Sequence, residues 1–117
     1  MDIELTLDCN DLDRQTSFWQ AALECDAHPT VPGRYVSLMP RDPRVPALTL
    51  QLVPETKAGK NRLHLDLLVD DLDGTVAHLR SLGATELAPR REEFGARWYV
   101  LADPEGNEFC VAEAPQP

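Results

Sequence analysis

The sequence predicts an α+β fold built from two tandem βαβββ modules, and two observations support this prediction. The first is an internal repeat, in which residues 63–74 follow the pattern of residues 3–14. The second is a change of hydrophobic period inside each copy, from the alternation of a strand to the wider spacing of a helix. A repeat of this kind means that one domain consists of two copies of one structural unit. The matching positions are Leu5 with Leu65, Leu7 with Leu67, and Asp11-Leu12-Asp13 with Asp71-Leu72-Asp73.

The first module begins with a strand over residues 3–9, because apolar and polar residues alternate there. Asn10 or Asp11 is expected to cap the N-terminus of a helix over residues 12–24. The apolar stripe of this helix is formed by Leu12, Thr16, Trp19 and Leu23. Three strand-like segments complete the module, near residues 25–28, 34–39 and 47–53.

The second module repeats this order of elements. Its first strand covers residues 64–69, and Asp71 or Asp73 starts the following helix. Gly83 is expected to end that helix in a left-handed conformation. Further strands are predicted near residues 85–88, 97–102 and 108–112. The whole chain is then one domain over residues 1–117, with module one at about 1–54, a linker at about 55–61 and module two at about 62–114.

Composition narrows the functional classes. The chain has 117 residues and a formal net charge of −9, which argues against nucleic acids and anionic membrane surfaces as partners and permits a cationic ligand. No apolar run approaches the roughly 20 residues that span a bilayer, and no signal-like segment opens the sequence, so a cytoplasmic protein is expected. The three cysteines, Cys9, Cys25 and Cys110, are interpreted as reduced thiols.

Strand periodicity identifies the candidate polar faces. Residues two apart share a face, so Glu4 lies with Thr6 and Asp8, and His64 lies with Asp66. His64 is the strongest candidate, because its charge changes near neutral pH and it suits both metal ligation and acid/base chemistry. The alternative is a structural histidine that hydrogen-bonds Asp66 or Glu4. Asp66 would orient His64 or contact a ligand directly, and Glu4 would serve as a ligand, a general base or an ion-pair partner.

Three segments resemble the vicinal oxygen chelate superfamily, which includes glyoxalase I, extradiol dioxygenases, and fosfomycin- and bleomycin-resistance proteins. They are the strand before Asp11-Leu12-Asp13, the strand before Asp70-Asp71-Leu72-Asp73, and the closing hairpin WYVLADPEGNEF at residues 98–109. The chain resembles most closely the small bacterial glyoxalase-like branch. The resemblance implies curved mixed sheets that form a cup between the modules, helices outside the cup, and a homodimer.

The resemblance also implies positions for a metal site. Metal-dependent members place ligands on the first and last strands of each module, which correspond here to Glu4 and Gln51, and to His64 and Cys110. Only His64 matches the usual ligand set outright. Glu4 stands where histidine is common, Gln51 is a variant of glutamate, and Cys110 replaces a glutamate. The implied cofactor is therefore either none or one divalent metal ion, with zinc, iron, manganese and nickel as the candidates.

Four further side chains are candidates for ligand binding: Gln51, Trp98, Tyr35 and Glu108. Trp98, Tyr35 and also Tyr99 offer flat rings that a planar ligand can stack on, although aromatic residues on strands usually belong to the core. Glu108 precedes Cys110 by two residues and would sit at the mouth of the cup or be solvated. Arg90, Arg91 and Arg97 flank a loop that contains Glu92 and Glu93, and this segment is interpreted as a solvated loop of mixed charge.

Three functional hypotheses follow. The first is a metal-free module that binds a small cationic or aromatic molecule, similar to bleomycin-resistance proteins. The second is a metal-dependent lyase, isomerase or dioxygenase that uses His64 and Glu4, in which the ion polarises vicinal oxygens. The third is a metal-independent acid/base enzyme that uses Asp66, His64 or Glu4. A small-molecule ligand and a homodimer are expected under all three hypotheses.

Overall fold

The computed structural model describes residues 3–93 and 95–113, and the chain divides into two compact units, Met1–Thr56 and Lys57–Pro117. Unit 1 contains β1 (Leu5–Cys9), α1 (Leu12–Leu23), β2 (Cys25–Val31), β3 (Tyr35–Pro40) and β4 (Leu48–Leu52). Unit 2 contains β5 (Asp66–Val69), α2 (Leu72–Leu82), β6 (Thr85–Glu86), β7 (Arg91–Glu93), β8 (Ala96–Ala102) and β9 (Glu108–Glu113). The predicted α+β class and the two-module architecture are confirmed.

The two units share one sheet topology. In unit 1 the strand order is β1-β4-β3-β2, and only the β1–β4 pair is parallel. In unit 2 the order is β5-β9-β8-β6, with β5–β9 parallel and β7 also paired with β8. One helix packs on one face of each sheet and buries the apolar side chains of that face. The opposite face of the unit 2 sheet carries both polar and apolar side chains.

Unit 2 departs from the predicted βαβββ order by one additional strand. Residues 91–93, expected in a solvated loop, form β7 against β8, with Arg91 opposite Trp98. The strand formed by residues 85–93 is interrupted near Pro89, because proline has no N–H to donate to the neighbouring strand. Unit 1 shows a milder form of the same break, since the β2–β3 register shifts between His28 and Val31, around Pro29.

Both helices are capped by the aspartates of the repeat. Asp11 accepts a hydrogen bond from the backbone N–H of Arg14, and Asp71 accepts one from Gly74. Asp11 and Asp71, and not Asn10 or Asp73, are therefore the N-caps. Gly83 ends α2 at φ 121, as predicted.

The buried face of α1 differs in part from the predicted stripe. The buried positions of α1 are Leu12, Gln15, Phe18 and Trp19, whereas Thr16 and Leu23 are only half-buried. These four buried residues therefore form the face of α1 that meets the sheet. Neither helix of the described residues has the length needed to cross a lipid bilayer.

The turn between β8 and β9 is fixed by a buried carboxylate. Asp103 is 2% exposed, and its Oδ1 accepts hydrogen bonds from the backbone N–H groups of Glu105 and Asn107, each at 2.9 Å. The side-chain amide of Asn107 donates to both oxygens of Asp103, at 3.2 and 3.0 Å. Gly106 has φ 85, a conformation that glycine adopts without steric cost. This turn sets where β9 begins.

Candidate functional site

The face of the unit 2 sheet that points away from α2 presents the candidate site residues. On β8, Leu101 is fully buried, and the Tyr99 hydroxyl donates to Asp73 at the start of α2 at 2.9 Å, so both side chains lie on the helix side. Because side chains alternate, Trp98 and Val100 lie on the opposite side. Their cross-strand partners on β9, Ala112 and Cys110, lie on the same side, and so does Glu108, two residues before Cys110. On β5, Asp66 and Leu68 pair with Cys110 and Ala112 and share this side too.

Tyr99 is therefore placed differently from the sequence-based expectation. Its ring lies on the helix side of the sheet, where the hydrogen bond to Asp73 raises the pKa of the Tyr99 hydroxyl. Tyr99 is thus removed from the set of rings available for stacking on this face. Trp98, the adjacent residue, lies on the candidate face and is half-buried.

Three side chains come together on this face, and we name them the triad: His64, Asp66 and Cys110. Their potential ligand atoms all lie within 4.8 Å of one another. His64 Nδ1 is 3.1 Å from Asp66 Oδ1. Cys110 stands opposite Asp66 in the parallel β5–β9 pair, and its backbone N–H donates to the carbonyl of Leu65 at 2.9 Å. The parallel register thus places Cys110 beside Asp66.

The triad is accessible, and its electrostatics favour a protonated thiol. The side chains of His64 and Asp66 are 40% and 56% exposed. Partial burial raises the pKa of the Cys110 thiol, and both the charge of Asp66 and a hydrogen bond to it raise it further. The positive charges of Lys60 and Arg91 oppose this shift. Cys110 is therefore a neutral hydrogen-bonding group unless a cation displaces its proton.

The chemistry of the triad fits a divalent metal ion. Imidazole, carboxylate and thiolate are all zinc ligands, and three protein ligands with an open fourth position are typical of catalytic zinc sites. Zinc bonds of about 2.0–2.3 Å place tetrahedral ligand atoms roughly 3.3–3.8 Å apart, so the separations of up to 4.8 Å require only small side-chain movements. In the described residues, this is the only group of three such side chains.

The other two predicted ligands lie in unit 1. Glu4 precedes β1 and is exposed. Gln51 stands opposite Asp8 on β1 and Tyr35 on β3, and its Nε2 donates to the Tyr35 hydroxyl at 3.1 Å. The strand register makes Thr49 the counterpart of Cys110, because Thr49 pairs with Thr6 as Cys110 pairs with Asp66. Gln51 thus lies two residues beyond the register counterpart of Cys110 on β4, and its role as a ligand stays a prediction.

Glu108 has a structural role on the same face as Cys110. Its carboxylate accepts hydrogen bonds from Lys57 Nζ at 2.9 Å and from the backbone N–H of Asn61 at 2.8 Å, and it is 16% exposed. These hydrogen bonds, that of Asn61 first, hold the pKa of Glu108 below its usual range. Glu108 therefore ties the segment 57–61, which contains Lys60, to the start of β9.

Replacing Glu108 with glutamine is expected to destabilise the protein by about 1–2 kcal/mol at pH 7, because Lys57 loses its charged partner. A lowered pKa means that the contribution of Glu108 is complete above the unfolded-state pKa of about 4.3 and is lost as pH falls below it. The difference between Glu108→Gln and the parent should therefore shrink towards pH 3. Urea denaturation at pH 7, 4.5 and 3 measures it, and a difference that does not change with pH would contradict the role of the charge.

The sequence-based interpretation did not predict that Arg91 lies beside Trp98. Arg91 was placed in a loop because the short strand β7 carries no apolar alternation. The pairing of β7 with β8 places Arg91 opposite Trp98, and no pattern within residues 91–93 signals this pairing.

Comparison with known proteins agrees with this architecture. The family model described as the Glyoxalase-like domain matches residues 4–112, while no curated protein matches the chain. A glyoxalase/bleomycin resistance protein/dioxygenase family enzyme from Burkholderia phytofirmans PsJN has a similar structure, with a TM-score of 0.78 and 18% identity over 96% of this chain and 97% of that one. Lactoylglutathione lyase from Agrobacterium tumefaciens aligns with a TM-score of 0.69 and 19% identity, covering 97% and 93% of the two chains.

A third similar structure is a variant of the fosfomycin resistance protein FosX from Listeria monocytogenes, complexed with Mn(II) and 1S,2S-dihydroxypropylphosphonic acid. It aligns with a TM-score of 0.76 and 14% identity, over 92% of this chain and 85% of that one. At these identities the structural similarities establish the fold, whereas the family model spans nearly the whole chain. The chain therefore belongs to the glyoxalase-like domain family.

Proposed function

We propose that this protein binds a small molecule on the exposed sheet face of unit 2, with the triad as its polar centre and without a full catalytic metal site. The single observation that supports this proposal is the convergence of His64, Asp66 and Cys110 on one accessible face. Polar groups that converge beside an aromatic side chain are typical of small-molecule sites. Trp98 supplies the aromatic side chain here.

The geometry supports a distinct task for each member of the triad. The contact between His64 Nδ1 and Asp66 fixes the orientation of the imidazole, so Nε2 is left for a hydrogen bond to the ligand. The thiol of Cys110 adds a weak, uncharged donor next to them. The same arrangement gives His64 the orientation of a general base, in which Asp66 stabilises the protonated imidazole. Acid/base turnover would therefore use the same residues as binding.

A second candidate function is a metal-dependent lyase, isomerase or dioxygenase, and the fit of the triad to a divalent ion favours it. His64, Asp66 and Cys110 would hold the ion, which would supply a Lewis acid that polarises vicinal oxygens of a substrate. The FosX relative that contains Mn(II) shows that this fold accommodates a metal centre in another protein. Glu4 and Gln51 stay predicted as further ligands of a metal ion. The homodimer and the cytoplasmic location also stay predictions.

Metal analysis and a ligand screen, run together, test the proposal. The purified protein is analysed for metal before and after incubation with zinc, manganese, iron and nickel, and its thermal stabilisation is screened against carboxylates, phosphonates, ammonium compounds and planar aromatics. We expect less than one equivalent of metal and at least one stabilising compound. The affinity of that compound for the protein should fall about tenfold or more in His64→Ala, because the variant loses the hydrogen bond from the imidazole to the ligand.

His78→Ala is the matched control, because His78 is an exposed histidine on α2, on the other side of the sheet. One equivalent of metal that is lost in His64→Ala and kept in His78→Ala would replace the first candidate with the second. Stabilising compounds whose affinity is equal in both variants would overturn the assignment of the site to the triad, and so would a screen without any stabilising compound.

A further inference from the structure

We propose that the ligand of the triad is a small amphipathic molecule. Its apolar part would lie across three strands, on Leu68, Ala112 and Trp98, and its hydrogen-bonding group would meet the triad. We name these three residues the apolar row. This inference rests on the proposed function and adds the chemical class of the ligand.

Strand register brings the apolar row together on the face of the triad. Ala112 on β9 stands opposite Leu68 in the parallel β5–β9 pair and opposite Trp98 in the antiparallel β8–β9 pair. Neighbouring strands lie about 4.8 Å apart, so the row extends over about 10 Å from β5 to β8. Arg91 pairs with Trp98 on β7 and ends the row with a charged side chain. The row is therefore wide enough for one or two aromatic rings.

The apolar row is accessible to a ligand. Leu68 is 66% exposed, and Ala112 and Trp98 are half-buried. Single exposed apolar residues are common on protein surfaces, whereas a contiguous apolar patch with a polar rim marks an interaction site. Here the three side chains are direct neighbours, and the triad forms part of their rim.

The first copy of the repeat shows that the fold does not require apolar residues at these places. The matching row of unit 1 consists of Asp8, Gln51 and Tyr35, which have the same strand register. All three side chains carry polar groups, and Gln51 Nε2 donates to the Tyr35 hydroxyl at 3.1 Å. A polar row is the usual pattern where one face of a sheet is solvated. The apolar row of unit 2 therefore has a cause other than folding, and a ligand supplies one.

The size and position of the apolar row favour a small molecule as its occupant. Three side chains of these types offer at most roughly 400 Å² of surface, whereas each partner in a stable protein interface buries about 800 Å². The row also adjoins the triad, because Asp66 and Cys110 pair with each other two residues before Leu68 and Ala112. Residues two apart along a strand are separated by about 7 Å. One small molecule therefore reaches both the row and the triad.

The triad defines the polar end of the ligand. His64 and Asp66 are accessible, and the imidazole can donate or accept a hydrogen bond at Nε2, whereas the ionised carboxylate only accepts. A primary amide carries two N–H donors and one carbonyl acceptor, so it complements both side chains without a net charge. Primary amides are therefore suitable probes for this end of the site.

Three primary amides with the same polar group and a growing apolar part test the inference: acetamide, 2-phenylacetamide and 2-(2-naphthyl)acetamide. Dissociation constants are measured by NMR titration, which also detects weak binding. The dissociation constant is expected to fall about tenfold from acetamide to phenylacetamide and several-fold further to the naphthyl compound, because each ring buries more apolar surface.

Leu68→Asn makes the apolar row polar without adding a charge. The affinity for the naphthyl compound should fall about fivefold or more in this variant, while the affinity for acetamide should stay within about twofold. Met39→Asn is the matched control, since Met39 is an exposed apolar residue on β3 of unit 1. Because Leu68 is exposed, the urea midpoint of Leu68→Asn should equal that of the parent. A marked decrease in this midpoint would assign Leu68 to the core and overturn the inference.

The outcomes separate this inference from the proposed function. Affinities that do not depend on the number of rings, together with loss of binding in His64→Ala, would overturn the amphipathic class and leave the site in unit 2. An equal loss in Leu68→Asn and Met39→Asn would also overturn the inference. So would a parent dimer that Leu68→Asn converts to a monomer, since the row would then be a subunit contact. If no amide binds, the inference is wrong, and if the ligand screen also fails, both proposals are wrong.

Discussion

Replacing Asp103 with alanine is expected to lower the free energy of unfolding by about 2–4 kcal/mol. The substitution removes a buried carboxylate that accepts hydrogen bonds from two backbone N–H groups and from the amide of Asn107. Those donors would then be left buried without an acceptor, and each such group costs about 1–3 kcal/mol. Urea denaturation monitored by circular dichroism measures the loss.

Asp70→Ala is the control for this prediction, because Asp70 is an exposed aspartate before α2. Its replacement should change stability by about 0.5 kcal/mol or less. A loss in Asp103→Ala that is no larger than the loss in Asp70→Ala would show that the turn does not depend on its buried carboxylate. Because β9 starts after this turn, we also expect Asp103→Ala to weaken ligand binding through displacement of Cys110 and Glu108.

Replacing Trp19 with alanine is expected to destabilise the protein by about 3–5 kcal/mol. Trp19 is 1% exposed and lies on the sheet-facing side of α1, where its ring meets the ring of Phe18 edge to face, with centroids 5.1 Å apart. Truncation leaves a cavity that the surrounding side chains fill only in part, and it also removes the aromatic contact. The loss of stability is measured from the urea midpoint and slope.

Trp98→Ala provides the comparison within the same residue type. Trp98 is half-buried on the face of the triad, so its removal should cost less than half as much stability as Trp19→Ala. Under the proposed function, the same variant should bind the ligand of this face more weakly. If Trp98→Ala were the more destabilising of the two variants, Trp98 would belong to the core and not to a ligand surface.

The sequence was sufficient for the parts of the fold that depend on local pattern. The sequence narrowed each N-cap to two residues, Asn10 or Asp11 and Asp71 or Asp73, because capping is a local feature, and the structure selects Asp11 and Asp71. Gly83 was likewise identified as the end of α2. The strand β7 was missed, because its residues, Arg91 to Glu93, owe their conformation to hydrogen bonds with β8 and not to any apolar alternation.

The sequence predicted which site residues lie together only where they belong to one strand and share a face. The two-residue period placed His64 with Asp66, and the structure shows them 3.1 Å apart. The proximity of Cys110 depends on the parallel register of two strands that are far apart in sequence, and the repeat alone does not give that register. The same limitation explains why Thr49, and not Gln51, occupies the place in unit 1 that Cys110 occupies in unit 2.

The prolines that disturb β2 and follow β6 have a consequence for solubility. Pro29 lies within β2, an edge strand of its sheet, and Pro89 lies between β6 and β7, which both pair with β8. The two prolines occupy matching places of the repeat. An unbroken edge strand offers a row of free N–H and C=O groups on which another chain can add a strand. A proline withdraws one donor from that row and interrupts its register. Each copy of the repeat thus carries its own protection against edge-to-edge aggregation.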